Sequence, residues 1–229
     1  MKSKKILAAL LAMTMLLLCA CSGGGNTTAA NNTQTNDTQT TEPACNGGDT
    51  TEPADDAGDT TAPAAPAEFD GKLKGPFLMT TCGQSTGSVM CHMAAVQAGV
   101  TSTDEHNLVA DDVATKGEGC NTLIITTGTS GKGMGAAGTD IDVEIERCSA
   151  VAEAAKEAGM TVVIAHVEGM SRRTDANDQA SIDSMLPYAD VIMVVEESDS
   201  DGLFTDYATE NNIPIIEAAD TLSLGEYFA

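Results

Sequence analysis

Apolar runs alternate with segments of helical period from residue 76 to residue 216. Five short runs consist mainly of apolar and β-branched residues, and they span 76–81, 123–127, 160–165, 191–195 and 213–216. Glycine, proline or polar residues flank each run, which is typical of buried strands. A more polar stretch, 100–108, is interpreted as a weak edge strand. Pro214 favours an edge position for the last strand, because proline cannot donate to a ladder.

The segments between these runs have the pattern of amphipathic helices. The longest starts after Thr139, which is interpreted as its cap with Asp142 at the capping-box position, and ends at Gly159. The remaining helices are predicted over 88–98, 110–115, 179–186 and 202–210.

Alternating strands and helices predict an α/β fold, and continuous apolar strands indicate a sheet that is covered on both faces. We therefore predict a doubly wound, mostly parallel sheet of about five strands in a flavodoxin-like or Rossmann-like three-layer sandwich. Right-handed crossovers place the strand-to-helix loops at one edge of that sheet. These loops are 82–87, 128–138, 166–178 and 196–201.

Ligands of such sheets bind where the strand order reverses, which is between the first and third strands in a flavodoxin-like order. The pattern therefore predicts that two groups of loop residues meet. They are Gly83, Gln84 and Ser85 on one side and Ser130, Gly131 and Lys132 on the other.

The first 68 residues have a different composition. Residues 1–20 carry three lysines and then an apolar run, which predicts a secretory signal. Leu18-Cys19-Ala20-Cys21 resembles the bacterial lipobox, which implies cleavage before Cys21 and an extracytoplasmic protein anchored to the cell membrane by lipid on that sulfur. An ordinary signal that is cut nearby is the alternative. Residues 21–68 lack large apolar side chains and are predicted to be a disordered tether, which leaves 69–229 as one α/β domain.

Charge narrows the range of partners. The 229 residues contain 34 acidic and only 11 basic side chains, for a net charge of −23. Such a chain repels nucleic acid and anionic membrane surfaces, so we expect no nucleic-acid partner. Lys132, Arg172 and Arg173 are therefore notable, because they lie in two of the predicted loops.

The glycine-rich stretch 128–138 is the strongest candidate for a ligand site. Glycines allow positive φ and close backbone approach, so its amides, with Lys132, could hold an anion. Neither a Walker A sequence nor a dinucleotide fingerprint directly after the strand is present, and we expect no cofactor. The alternative is a tight turn that packs helix against strand. The predicted ligand residues in this stretch are Ser130, Gly131, Lys132, Gly133 and Gly135.

The loop after the fourth predicted strand supplies His166, Arg172 and Arg173 as further candidates. Guanidinium groups suit carboxylate or phosphate ligands, although pairing with Glu168, Asp175 and Asp178 would explain the arginines equally well. Ser85 and Ser130 could act as nucleophiles with His166 as base, but no nucleophile-elbow sequence is present, so no catalytic residue is assigned. Arg147 is expected to pair with Glu144 one helical turn earlier.

The cysteines give no metal motif. The 7 cysteines form no C-x-x-C pair, and no metal site is assigned. Buried free thiols are the default interpretation, and any pairing among Cys45, Cys82, Cys91, Cys120 and Cys148 stays open.

Several of these segments together resemble a family of uncharacterised bacterial exported domains, the domain-of-unknown-function family 6305. The resemblance runs from about Pro76 to Ile216, and it implies the fold class and export but no activity. It also implies glycine where this chain has Glu168. The segments that carry it are 80–85, 128–138 with Glu144 and Arg147, 166–173, 188–190, 201–204 and 213–214.

Three hypotheses follow. The first is a tethered module that binds a small anionic or polar ligand at the loop edge. The second is an extracytoplasmic hydrolase or transferase that uses the same loops, and the third is a protein-interaction module. Whether the protein is an enzyme stays open.

Overall fold

The computed structural model describes residues 69–229. The predicted signal 1–20, the lipidation site Cys21 and the tether 21–68 lie outside the described residues. Within 69–229, every helix is too short or too polar to cross a membrane.

The described chain alternates strands and helices. The strands are β1 (Phe77–Thr81), β2 (Ser102–Asp104), β3 (Thr122–Thr126), β4 (Thr161–His166), β5 (Val191–Val195) and β6 (Ile215–Ala218). The helices are α1 (Gly87–Ala98), α2 (Ala110–Lys116), α3 (Gly131–Ala137), α4 (Ile141–Glu157), α5 (Ala176–Met185) and α6 (Leu203–Asn211). Short 3₁₀ turns cover Gly169–Arg172, Leu186–Tyr188, Glu196–Asp199 and Ser223–Tyr227.

All six strands belong to one parallel sheet with the order β2-β1-β3-β4-β5-β6. The register aligns the strand ends, since Thr81 pairs with Thr126 and Thr126 pairs with Ala165. The predicted α/β class and the weak edge strand β2 are confirmed, and of the two predicted types of strand order the structure has the flavodoxin-like one. The sheet has six strands rather than about five.

Helices cover both faces of the sheet, which explains why the strands are apolar throughout. One face packs against α2, α4, α5 and α6 through side chains such as Val113, Val151, Ile182 and Phe204. The other packs against α1 and the C-terminal turn, with Cys91 and Leu224 in its core. The result is a three-layer sandwich whose central strands are buried except for Thr161 at the start of β4.

Three predicted boundaries are wrong for local reasons. Asp140 rather than Thr139 caps α4, because its carboxylate accepts the Val143 amide at 3.0 Å. Likewise, α5 starts at Ala176 because Asp175 accepts the amides of Asn177 and Asp178. His166, predicted to open a loop, is the last residue of β4.

Candidate functional site

The loops after β1 and β3 meet at the carboxyl edge of the sheet, as predicted. The Ser130 amide donates to the Gly83 carbonyl at 2.8 Å, and Gln84 forms an isolated bridge with Thr129. Gly83 has φ +114°, and a Cβ there would lie 2.7 Å from Thr129 Cγ2. Glycine is therefore required for this approach, which joins the two loops directly.

The glycine-rich stretch is an open loop only as far as Ser130, so the loop predicted over 128–138 is wrong beyond that point. Gly131–Ala137 forms α3, and the Ser130 hydroxyl caps it by accepting the Gly133 amide at 3.0 Å. Met134 is buried beneath the helix. Serine at the cap position and glycine after the last turn were sequence signals for this helix.

The predicted ligand residues of α3 face different surroundings. Gly133 packs against the Gln84 backbone, whereas Gly131 and Gly135 have open space where a side chain would be. Lys132 is exposed and forms no ion pair with any residue in 69–229.

Gln84 and Ser85 turn toward the protein. The Gln84 amide donates to both oxygens of Glu144 at 3.2 Å, and the Glu144 carboxylate also accepts the Gly83 amide at 3.1 Å. Ser85 is fully buried, with its hydroxyl 3.2 Å from that of Thr81. These side chains therefore hold the loop after β1.

Glu144 is the buried acid behind this loop, and it is only 2% exposed. Arg147 donates to it at 2.7 Å, which confirms the predicted pair, and also donates to the Thr81 carbonyl at 2.6 Å. Burial by itself would raise the pKa of Glu144, but the hydrogen bonds and charge of Arg147, together with the Gly83 and Gln84 donors, lower it. The sequence indicated the pair but not its burial.

His166 is fully buried at the end of β4. Its Nδ1 lies 3.0 Å from Ser198 Oγ, and its Nε2 lies 3.2 Å from the Arg172 carbonyl oxygen. Burial is the main cause that lowers the pKa of His166, so the neutral ring is favoured. Both ring nitrogens are therefore used inside the fold.

The two adjacent arginines diverge. Arg172 donates through Nη1 to the Thr129 carbonyl at 2.8 Å, and its Nε lies 3.6 Å from Glu168 Oε2. Arg173 forms two hydrogen bonds of 2.6 and 2.7 Å with the Asp201 carboxylate. The structure therefore brings Arg172 to the predicted loop edge and commits Arg173 to an ion pair.

Asp178 does not pair with the arginines. It is 2% exposed, and its two carboxylate oxygens accept the amides and hydroxyls of Thr129 and Thr174. The Thr129 carbonyl in turn accepts Arg172. Asp178 thus joins the loop after β3 to the loop after β4 and fixes the position of Arg172.

A cavity of about 240 Å³ lies at the carboxyl ends of β4, β5 and β6. Its charged lining residues are Glu168, Arg172, Glu197 and Asp220, and Met90, Val167 and Val195 supply apolar walls. Lys132 lies outside it. Sequence reasoning found Arg172 and noted Glu168, but missed Glu197 and Asp220, because only folding brings the loops after β5 and β6 to the same hollow.

A family model described as a domain of unknown function, DUF6305, matches residues 74–229. No curated protein matches the chain.

Solved structures with a similar chain path include a GDSL-like lipase from Bacteroides thetaiotaomicron VPI-5482. It has 12% identity and a TM-score of 0.35, with 64% of this chain and 68% of that chain covered. A candidate acylhydrolase from Bacteroides fragilis NCTC 9343 has 10% identity and a TM-score of 0.34, with 62% and 65% covered. Likenesses at these TM-scores carry no argument about function.

Proposed function

Because the chain belongs to the DUF6305 family of domains of unknown function, its function has to be inferred from its own geometry, and we propose that it binds a small polar ligand at the carboxyl edge of its sheet. The cavity beside Arg172 is the proposed site. The observation that carries the proposal is a hollow with four charged side chains at the carboxyl edge of the sheet, beside β4, β5 and β6 rather than at the switch point between β1 and β3.

The size of the hollow limits the ligand. Pockets for drug-sized molecules have volumes of roughly 300–1,000 Å³. The cavity here, at about 240 Å³, lies below that range and suits a smaller molecule. Apolar walls from Met90, Val167 and Val195 would pack against its carbon atoms while the charged side chains orient it.

The rim near Lys132 has less support as a ligand site. The Ser130 and Gly133 amides are used inside the fold, and the Gln84 side chain points to Glu144. The Lys132 ammonium could still attract an anion, but the Ser130 and Gly133 amides and the Gln84 side chain beside it are occupied. We therefore place the ligand at Arg172 rather than between β1 and β3.

The hydrolase or transferase hypothesis finds no favourable geometry at these loops. Ser130 Oγ accepts the Gly133 amide, Ser85 is buried, and both nitrogens of His166 are hydrogen-bonded within the fold. A nucleophile needs an exposed hydroxyl within reach of a base. Ligand binding therefore explains this edge better than catalysis does.

The binding test combines a ligand screen with two variants. Thermal-shift screening of polar metabolites should identify stabilising compounds, since a ligand that binds only the folded state raises its melting temperature. Ala219→Phe places a large side chain at the cavity lining and should abolish the shift, whereas Lys132→Ala should leave it unchanged. A thermal shift that is lost in Lys132→Ala but kept in Ala219→Phe would move the site to the rim near Lys132. If no compound gives a shift that Ala219→Phe abolishes, the proposal is refuted.

We further propose that lipid on Cys21 anchors the protein to the outer face of the bacterial cell membrane. The Leu18-Cys19-Ala20-Cys21 sequence supports this, although it lies outside the described residues. A clickable fatty acid fed to expressing cells should label the protein, and Cys21→Ser should abolish that label. Labelling that persists in Cys21→Ser would refute this anchoring site.

A further inference from the structure

The outward face of α1 is apolar. The helix packs Cys91 and Ala95 against the sheet, yet on its other side Met93 and Val96 are 65% and 61% exposed. None of its 12 residues is Asp, Glu, Lys or Arg, although the chain has 34 acidic side chains. A surface helix usually presents charged and polar side chains to water. This face therefore has the composition of a surface that is covered.

The same face lines a groove of about 640 Å³. The segment after β6 completes the lining with Thr221 and Leu222, and Leu222 is 83% exposed. The lining contains no Asp, Glu, Lys or Arg. Its volume lies within the roughly 300–1,000 Å³ of small-molecule sites, which are mostly apolar with a few polar groups. The flexible side chains of Met90 and Met93 can adapt to an alkyl chain.

The groove adjoins the cavity beside Arg172. Met90 and Thr221 line both hollows. The Thr221 hydroxyl donates to the Val167 carbonyl at 3.1 Å, which holds this residue at the junction. One ligand can therefore place a polar end in the cavity and extend an apolar part along α1.

The rest of the chain and a second copy suit the groove less well than a small molecule does. Residues 22–68 contain no Val, Leu, Ile, Met or aromatic residue, so the predicted tether has no large side chain to place there. The apolar run in residues 1–20 belongs to the predicted signal, which export removes. A second copy carries the same net charge of −23, and strong like charge keeps proteins monomeric.

Charge in the cavity limits the polar end of such a ligand. Glu168, Glu197 and Asp220 line it with Arg172 as the one cation. The Arg172 guanidinium is already used, because Nη1 donates to the Thr129 carbonyl at 2.8 Å and Nε lies 3.6 Å from Glu168 Oε2. A carboxylate or phosphate end would therefore be repelled without gaining a free arginine. Hydroxyl groups avoid this repulsion, because they are neutral and both donate and accept.

We propose, resting on the ligand site proposed above, that the ligand is a single-chain amphiphile without negative charge. Its polar head enters the cavity beside Arg172, and its alkyl chain lies in the groove against Met93, Val96 and Leu222. The small polar molecule that the cavity accommodates is then the head group of a longer ligand.

The test uses three neutral probes that differ only in chain length: hexane-, octane- and decane-1,2-diol. Each is titrated calorimetrically, below its micelle concentration, into full-length protein carrying Cys21→Ser, which needs no detergent if the proposed anchor is absent. Affinity should rise about four- to fifteenfold for each two added methylenes, a range that corresponds to half and full burial of the added carbons.

Val96→Glu and Val143→Glu form the matched pair of variants. Both place the same charge at an exposed valine of a helix, but only Val96 lines the groove, whereas Val143 lies on α4 at the opposite face of the sheet. Val96→Glu should weaken octanediol binding at least tenfold and flatten the dependence on chain length, and Val143→Glu should change neither. Equal effects of the two variants, or a chain-length dependence that survives in Val96→Glu, would overturn the proposal.

Two further arms test the head group. Octanoate should bind more weakly than octanediol at the same ionic strength, and tighter binding of octanoate would refute the charge assignment. Ala219→Phe fills the cavity but not the groove, so it should weaken all three diols by one common factor. Unchanged diol affinities in Ala219→Phe would place the head outside the cavity and refute the joined site.

The outcomes separate this proposal from the one on which it rests. If a polar metabolite gives a thermal shift that Ala219→Phe abolishes while no diol binds, the amphiphile is refuted and the cavity remains a ligand site. A dimer in sedimentation that Val96→Glu dissociates would assign the α1 face to a second copy. Binding to phosphatidylcholine vesicles without binding of free diols would assign that face to a bilayer, and either result would overturn the proposal.

Folding is checked without ligand. Val96→Glu should melt within a few degrees of wild type, because the replaced side chain is largely exposed. Met93→Glu changes a second exposed position of the same face and should weaken octanediol in the same way. Normal octanediol binding by a folded Met93→Glu variant would contradict the placement of the alkyl chain.

Discussion

Replacing Asp178 with alanine should destabilise the fold more than any exposed substitution on the same helix. The carboxylate is 2% exposed and accepts the Thr129 amide at 2.8 Å, its hydroxyl at 2.6 Å, the Thr174 amide at 2.9 Å and its hydroxyl at 3.1 Å. Asp178→Ala removes all four acceptor contacts at once. The loops after β3 and β4 then lose their main polar connection.

The size of the effect follows from which donors find other partners. The two hydroxyls can rotate, and the amide of exposed Thr174 can reach water. The Thr129 amide cannot, because this residue is only 5% exposed. One stranded amide together with the lost charge-assisted bonds costs about 3 kcal/mol, since hydrogen bonds to charged groups contribute roughly 1.5–3 kcal/mol each. That is a large share of the roughly 5–15 kcal/mol that stabilises a typical protein.

The assay is urea denaturation followed by far-UV circular dichroism, since the chain has no tryptophan to report by fluorescence. Asp183→Ala is the control, because Asp183 lies on the same helix, is exposed and accepts only the Gln179 amide group. This control should cost no more than about 0.5 kcal/mol. The slope of free energy against urea should be the same in both variants.

The difference between wild type and Asp178→Ala should also depend on pH. Burial opposes ionisation of Asp178, but hydrogen bonds from Thr129 and Thr174 outweigh it and lower its pKa. Its contribution is therefore complete above the unfolded value of about 3.9 and is lost as pH falls through the lower folded value. A loss below about 1 kcal/mol at pH 7 with an unchanged slope, or a difference that widens in acid, would refute this reasoning.

Further predictions concern the loop after β1 and the thiols. Gly83→Ala should lower the free energy of unfolding by about 2–4 kcal/mol in urea denaturation, because the positive φ and the close Thr129 side chain both oppose a Cβ. Gly138→Ala is the control, because Gly138 also has a positive φ but open space for a Cβ, and it should cost about 1 kcal/mol. Equal losses in the two variants would contradict the close contact at Gly83. Glu144→Ala should cost about 3–5 kcal/mol at pH 7 by leaving a buried guanidinium unpaired. Since the folded pKa of Glu144 is lowered, this difference should shrink as pH falls through it, and a pH-independent loss would argue against the ion pair. Burial raises the pKa of Cys91 to about 12, so iodoacetamide at pH 8 should modify half-buried Cys120 before Cys91. Peptide mass mapping that shows equal rates for these two thiols would contradict the burial of Cys91.

The polar edge shows where sequence reasoning stops. Adjacent Arg172 and Arg173 have the same chemistry in the sequence, yet one lines a cavity and the other pairs with Asp201. Which partner each reaches depends on loops that are distant in the chain. Likewise, the glycine-rich stretch suggested open amides, whereas the Ser130 cap and buried Met134 turn its second half into helix.

The sequence by itself determined the α/β class and narrowed the strand order to a flavodoxin-like or Rossmann-like type, the first of which brings the loops after β1 and β3 together. It could do so because continuous apolar strands and right-handed crossovers are local patterns with few geometric solutions. Only the tertiary structure decided which edge residues face inward and which line a hollow. Gln84 turns to Glu144, and Glu168 is buried beside Glu197 and Asp220, because burial and hydrogen-bond partners are set by contacts between segments far apart in the chain.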